Sequence, residues 1–99
     1  MKAMVFSIRD SKTGFLTPTV ELNVQTAIRN FEHAVLLHDD SLFFSHPDDY
    51  SLFCLGDFDT DTGVLTPLSP VSEVVSASSI INTHLSRQAA SGGARDGKN

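Results

Sequence analysis

The sequence predicts an α+β fold, a small antiparallel sheet packed on one main helix, and three patterns predict it. Met4, Phe6 and Ile8 alternate with Val5, Ser7 and Arg9; apolar residues recur at helical spacing over 24–38; and two strand-like runs within 51–68 flank the turn sequence Asp59-Thr60-Asp61-Thr62-Gly63. A period of two puts one side of a strand on a core, and a period near 3.6 does the same for a helix, so each kind of element has an apolar surface to bury against the other. The 99 residues suit one domain, expected over 1–85. Residues 86–99, SRQAASGGARDGKN, have no large apolar side chain after Ser86 and are expected to form a disordered tail.

Taken in order, the first strand covers the alternation at residues 4–9 and ends in the turn Asp10 to Gly14. A short extended piece follows at 19–22, where Pro18 favours an edge or irregular position because it has no amide hydrogen to donate. Asn23 is placed to cap a helix whose stripe is Val24, Ala27, Ile28, Phe31, Ala34 and Val35. Asp39-Asp40-Ser41 closes that helix, Leu42-Phe43-Phe44 anchors the connection, and Pro47-Asp48-Asp49 suits a tight turn or a single helical turn. Residues 51–58 read as a strand with Leu52, Cys54 and Phe58 on one face and Phe53 and Leu55 on the other, with a bulge at Gly56; residues 64–68 return to complete a hairpin. Residues 69–85 admit two readings. Ser69-Pro70 has the form of a helix cap and first residue, with Val71, Val74, Val75, Ser78, Ile81 and Leu85 near helical spacing, yet the β-branched and serine-rich run around Val74 to Ile81 equally suits a strand.

Charge is more informative divided than summed. The net charge of −5 separates into +1 over residues 1–35, −8 over 36–75 and +2 over 76–99. Phosphate affinity rests on Lys and Arg, so strong binding of nucleic acid by the whole domain is not expected and any such contact must be local. No apolar run approaches the ~20 residues of a membrane span, the opening MKAMVFSIRD lacks the pattern of a secretory signal, and the protein is expected to act in the cytosol. The single Cys54, inside an apolar run, is expected to be a buried small hydrophobe.

The segment HPDDYSLFCLGDFDTDTG (46–63), the opening KAMVFSIRDSKTGFLTP (2–18) and the run AIRNF (27–31) together resemble the small nonstructural protein of gokushoviruses, single-stranded DNA phages of the Microviridae, or the phage open-reading-frame-five family. The resemblance covers about residues 1–68 and none of its elements is a catalytic motif. It implies a nonenzymatic early protein in the host bacterial cytoplasm that regulates viral genome synthesis or packaging. The implied partners are single-stranded viral DNA, a replication initiator or a procapsid protein. The resemblance supplies no binding residues, and those are read from charge and placement.

On that basis Lys2, Arg9, Lys12 and Arg29 are the candidate phosphate contacts, with Phe6, Phe15 or Tyr50 as candidate stacking faces. The alternative is an acidic protein-interaction module, a DNA mimic or adaptor, centred on Asp57, Asp59 and Asp61. Those three alternate as cation ligands do in a loop, but the glycine falls at 63 and Leu68 stands where a bidentate Glu is needed, so a solvated hairpin turn is the expected structure. The histidines at 33, 38, 46 and 84 lack the paired spacing of zinc sites, and neither a G-x-S-x-G elbow nor a glycine-rich phosphate loop is present. No cofactor, metal or catalytic residue is implied. The unpaired edges of so small a sheet make a homodimer the expected assembly.

Overall fold

In the computed structural model, which describes residues 1–96, the alternating opening segment is the central strand β1 (Lys2–Asp10) of a five-stranded antiparallel sheet. Along one side β1 pairs over its whole length with β4 (Tyr50–Asp59). Along the other it pairs at its end with β2 (Gly14–Phe15) and nearer its start with β3 (Thr19–Glu21). These two short pieces are one interrupted strand: the Leu16 amide still donates to Ile8 at 2.8 Å, the chain leaves the ladder at Pro18, which has no donor, and pairing resumes at Thr19. The outermost strand, β5 (Leu65–Ser76), pairs with β4.

One bulge sets which side chains share a face. Val5 stands opposite Gly56 but Phe6 opposite Cys54, so Leu55 is the extra residue. Beyond it, Phe6 and Ile8 share one face with Cys54 and Leu52, while Ser7 and Arg9 share the other with Phe53 and Ser51. The bulge expected at Gly56 is therefore present, and it changes the phase of the strand: Phe58, expected beside Leu52 and Cys54, lies past the change and pairs with Ala3. Gly56 has a second role. A Cβ on it would lie 2.4 Å from the Thr66 carbonyl oxygen and 2.9 Å from Pro67 Cα, so only glycine lets β5 pass this close.

Helix α1 (Val24–Leu36) begins where Asn23 Oδ1 accepts a hydrogen bond from the Thr26 amide at 2.8 Å, and it buries Ala27, Phe31 and Val35. It ends at Leu36, two residues before His38, where the apolar stripe was expected to run out. A four-residue helix, α2 (Leu42–Ser45), and the 3₁₀ turn Pro47–Asp49 lead into β4. The Pro-Asp-Asp-Tyr corner ties three parts of the chain together. Asp48 accepts from Ser78 Oγ, Asp49 accepts from Ser11 Oγ at 3.0 Å, and Tyr50 is buried with its ring edge-on to Phe43 at 4.8 Å. Phe43 in turn meets Phe31 of α1 at 6.2 Å. Each such aromatic contact adds about 0.5–1.5 kcal/mol beyond area burial.

Past the hairpin, of the two readings open for 69–85 the strand holds first, and no helix begins at Ser69-Pro70. β5 runs on to Ser76, because Val71, Val74 and Val75 carry the β-branched side chains a strand accommodates and residues 72–76 pair with β4. The helical reading holds from Ala77: α3 (Ala77–Asp96) starts where Ser76 Oγ accepts from the Ser79 amide at 3.1 Å, and Ala77, Ile80 and Ile81 are buried at one-turn spacing. The tail expected over 86–99 falls on the last turns of α3, which continue to Asp96, and on 97–99, outside the described residues.

Phe6, Leu52, Cys54 and Tyr50 of the sheet, Ala27, Phe31 and Val35 of α1, and Ala77, Ile80 and Ile81 of α3 form one buried cluster. Both helices thus lie on the same side of the sheet, and Cys54 is buried there as expected. Among the described residues, no helix covers the opposite face.

Candidate nucleic-acid interface on the open sheet face

The alternation that sends Phe6 and Ile8 inward sends Ser7 and Arg9 outward, and the pairing then sets their neighbours. Arg9 stands between Phe15 of β2 and Ser51 of β4; Ser7 stands beside Phe53. Phe15 and Phe53 meet edge to face with ring centroids 5.4 Å apart at 82°, and the Arg9 guanidinium carbon lies 6.0 Å from the Phe15 centroid. Beneath them Ser7, buried, donates from Oγ to the Leu16 carbonyl at 2.8 Å and fixes the start of the strand break. Phe15 is 46% exposed, so a large aromatic ring is held on the surface by an aromatic neighbour and a cation instead of by the core. Lys12 is exposed in the adjoining turn, whose shape is set by the Asp10 carboxylate accepting from the Lys12 amide at 2.9 Å.

Of the four cations singled out in the sequence, the structure brings Arg9 and Lys12 to one end of the sheet. Lys2 stands at the opposite end of β1, about 23 Å away at 3.3 Å per residue, in register with Asp59. Arg29 is exposed on α1, in the helical layer behind the sheet. Of the three proposed stacking faces only Phe15 is available; Phe6 is fully buried and Tyr50 is in the core. Sequence reasoning missed Phe53 as a surface aromatic, although its position one residue from both Leu52 and Cys54 placed it off the core face.

The acidic candidates sit at the end occupied by Lys2. Asp59 closes the hairpin: its carboxylate accepts from the amides of Asp61 at 2.9 Å and Thr62 at 3.4 Å, and its carbonyl accepts from Gly63 at 2.7 Å, Gly63 taking a positive φ of 76°. The Asp61 amide, chiefly, and then the Thr62 amide and the Lys2 charge hold the Asp59 carboxyl below the usual carboxylate range. Asp57 pairs with Met4 and Thr66 within the sheet, and Asp61 is exposed and touches the Met1 amino group. Asp59 is thus a turn-forming residue whose Oδ1 and backbone carbonyl are engaged by the loop itself. Among the described residues no three His, Cys, Asp or Glu side chains converge as metal ligands. On the helix side, burial first, and then the negative charge of Asp10 and its hydrogen bond, push the Tyr50 phenol above its ordinary pKa.

The chain is thus a two-layer α+β protein with a helix-sealed face and an open face that carries an aromatic pair beside an arginine. Residues 3–80 match the family described as Phage ORF5 protein, and the chain belongs to that family of bacteriophage proteins. The match reaches past Leu68, where the motif resemblance was expected to stop, and takes in β5 and the first turn of α3. No curated protein and no solved structure matches the chain.

Proposed function

We propose that this phage protein binds single-stranded DNA on its open sheet face and in doing so regulates viral genome synthesis or packaging in the host cytoplasm, without catalysing a reaction. The observation that carries this reading is the Arg9–Phe15–Phe53 cluster. Single-strand binders join cations that track the phosphates to aromatic faces on which bases stack, and every base has such a face. Arg9 supplies the charge, its guanidinium already held against Phe15; Lys12 extends it at the turn; Phe15 and Phe53 supply the stacking surface. Lys2 and Arg29 have no part in this interface, given their placement at the far end of β1 and on α1. The gokushovirus resemblance supports the same role, since such phages package a single-stranded genome.

The test is fluorescence anisotropy of a labelled single-stranded oligonucleotide titrated with the protein. Two phosphate contacts predict a logarithmic salt slope of about −1.4. Arg9→Glu combined with Lys12→Glu abolishes binding on this reading. Phe15→Ala weakens it by about 5- to 150-fold, the loss expected for one stacked base. Absence of binding at tens of micromolar protein in low salt, or binding indifferent to both changes, rejects it.

A further inference from the structure

The open face has two halves. Arg9, Phe15 and Phe53 occupy one, and the other, toward the hairpin, is apolar. Strand pairing lines up Val20 of β3, Val5 of β1, Gly56 of β4 and Pro67 of β5 in one row, on the face that Ser7 and Arg9 share, and the next row ends in Leu65. Val20 is 51% and Leu65 64% exposed. Where Gly56 offers no side chain and the chain leaves the ladder at Pro18, an open groove of about 310 Å³ is lined by Val5, Pro18, Leu55, Leu65 and Pro67. A contiguous exposed apolar surface of this kind marks a protein contact.

The two ends of the face differ in charge, and the groove lies midway between them. Arg9, with Lys12 in the adjoining turn, is four residues past Val5 on β1; Met1, four residues before Val5, holds the exposed Asp61 carboxylate against its amino group. Oδ2 makes that contact, which leaves Oδ1 free to accept from another donor. A two-fold axis through Val5, perpendicular to the sheet, exchanges these ends in a second copy. Arg9 then faces the partner's Asp61, about 13 Å from the axis at ~3.3 Å per residue, and Leu65 meets the partner's strand break at Pro18. Cation, groove and acid all belong to one face of one chain, so the surface is complementary to itself.

We infer that the apolar half of the open face seats a second copy of this chain, sheet against sheet about that axis, and that self-pairing and strand binding exclude each other because the partner's Asp61 takes the place of a phosphate at Arg9. The exclusion rests on the single-strand reading above; the pairing does not. Size makes the pairing reversible. Nine residues of β1 at ~3.3 Å and four strand positions at ~4.8 Å give a face of roughly 570 Å², below the ~800 Å² per partner of stable interfaces. At low concentration the face is therefore open, and a DNA strand can displace the second copy.

The test is sedimentation equilibrium of the full chain from micromolar to submillimolar protein, with and without a single-stranded oligonucleotide. The mass should rise from one chain to two and go no further. Leu65→Glu, at an exposed position where folding is not at stake, and Asp61→Lys should each weaken pairing at least tenfold and leave strand binding intact. Arg9→Glu should weaken pairing equally, and Arg9→Glu combined with Asp61→Arg should restore it to within threefold, since both charges of the pair are then reversed. The oligonucleotide should convert the dimer to one chain per strand. A monomer at every concentration, or a dimer indifferent to Leu65→Glu and to the charge exchange, would overturn the pairing, and strand binding by such a protein leaves the single-strand reading standing. A dimer that meets these tests while no variant binds the oligonucleotide supports the pairing and rejects the single-strand reading. Two chains retained on one bound strand, at undiminished affinity, would overturn the exclusion.

Discussion

The two faces of the sheet are built from similar residues and treated differently. On the helix side Phe6, Leu52 and Tyr50 are sealed under α1 and α3, and a chain of edge-on rings runs from Tyr50 through Phe43 to Phe31. On the other side Phe15 and Phe53 form an equally well-oriented pair, but nothing among the described residues covers it, and a charged Arg9 lies against it. Aromatic content therefore does not mark function. What distinguishes the two faces is whether a ring's neighbour is another part of the core or a cation in solvent.

That comparison is sharpest when one ring is removed from each face. Phe31→Ala removes a buried side chain shared by α1, Phe43 and the sheet, and should cost about 3–5 kcal/mol, a large part of the stability of a domain this size. Phe53→Ala removes a partly buried ring and one edge contact, and should cost less, about 1–3 kcal/mol. Urea unfolding of the two variants checks the ordering; similar losses would mean that the open face is covered in solution.

The second test breaks the link between the faces at the bulge. Gly56→Ala puts a methyl group against the Thr66 carbonyl, which is backbone and cannot rotate away. The loss should be about 1–3 kcal/mol, as for other overpacked sites, read as a fall in Tm with protection of β5 amides lost first in hydrogen exchange.

The smallest effect concerns pH. Burial and Asp10 raise the Tyr50 pKa in the folded state, so the folded protein holds that proton more tightly than the unfolded chain. Its contribution is complete below the ordinary tyrosine value, near 10, and is lost as pH rises through the raised one. Unfolding midpoints measured from pH 9 to 11 should therefore fall more steeply for the natural protein than for Tyr50→Phe. Parallel slopes would place the phenol in contact with water.

Much of this architecture was legible because the local signals agreed with each other. The period of two over 4–9, the stripe over 24–38 with Asn23 at its start, and the Asp59–Gly63 turn each named an element found in the structure. The misreadings have specific physical causes. Ser69-Pro70 is locally as good a helix start as a strand position, and only pairing with β4 decides for the strand. The phase of β4 depends on a single extra residue, Leu55, whose effect on Phe58 no periodicity count can carry across the bulge. For the proposed interface, Arg9 and Lys12 were identifiable from their place beside the first strand. Separating them from Lys2 and Arg29 required knowing that one helix lies behind the sheet and that β1 spans its full width.

Proline also governs what this sheet cannot do. β5 forms one border, and there the pairing passes from Gly56–Pro67 directly to Cys54–Ser72, so four residues of β5, Leu68 to Val71, leave the ladder against a single residue of β4. At the other border the ladder is interrupted at Pro18. Neither border presents a straight row of amides and carbonyls, so continued strand addition from molecule to molecule, the route to fibrous aggregation, has no template on either side. A pairing of two copies through their sheet borders would have to be short and self-limiting, and high concentrations would not convert it into a growing polymer.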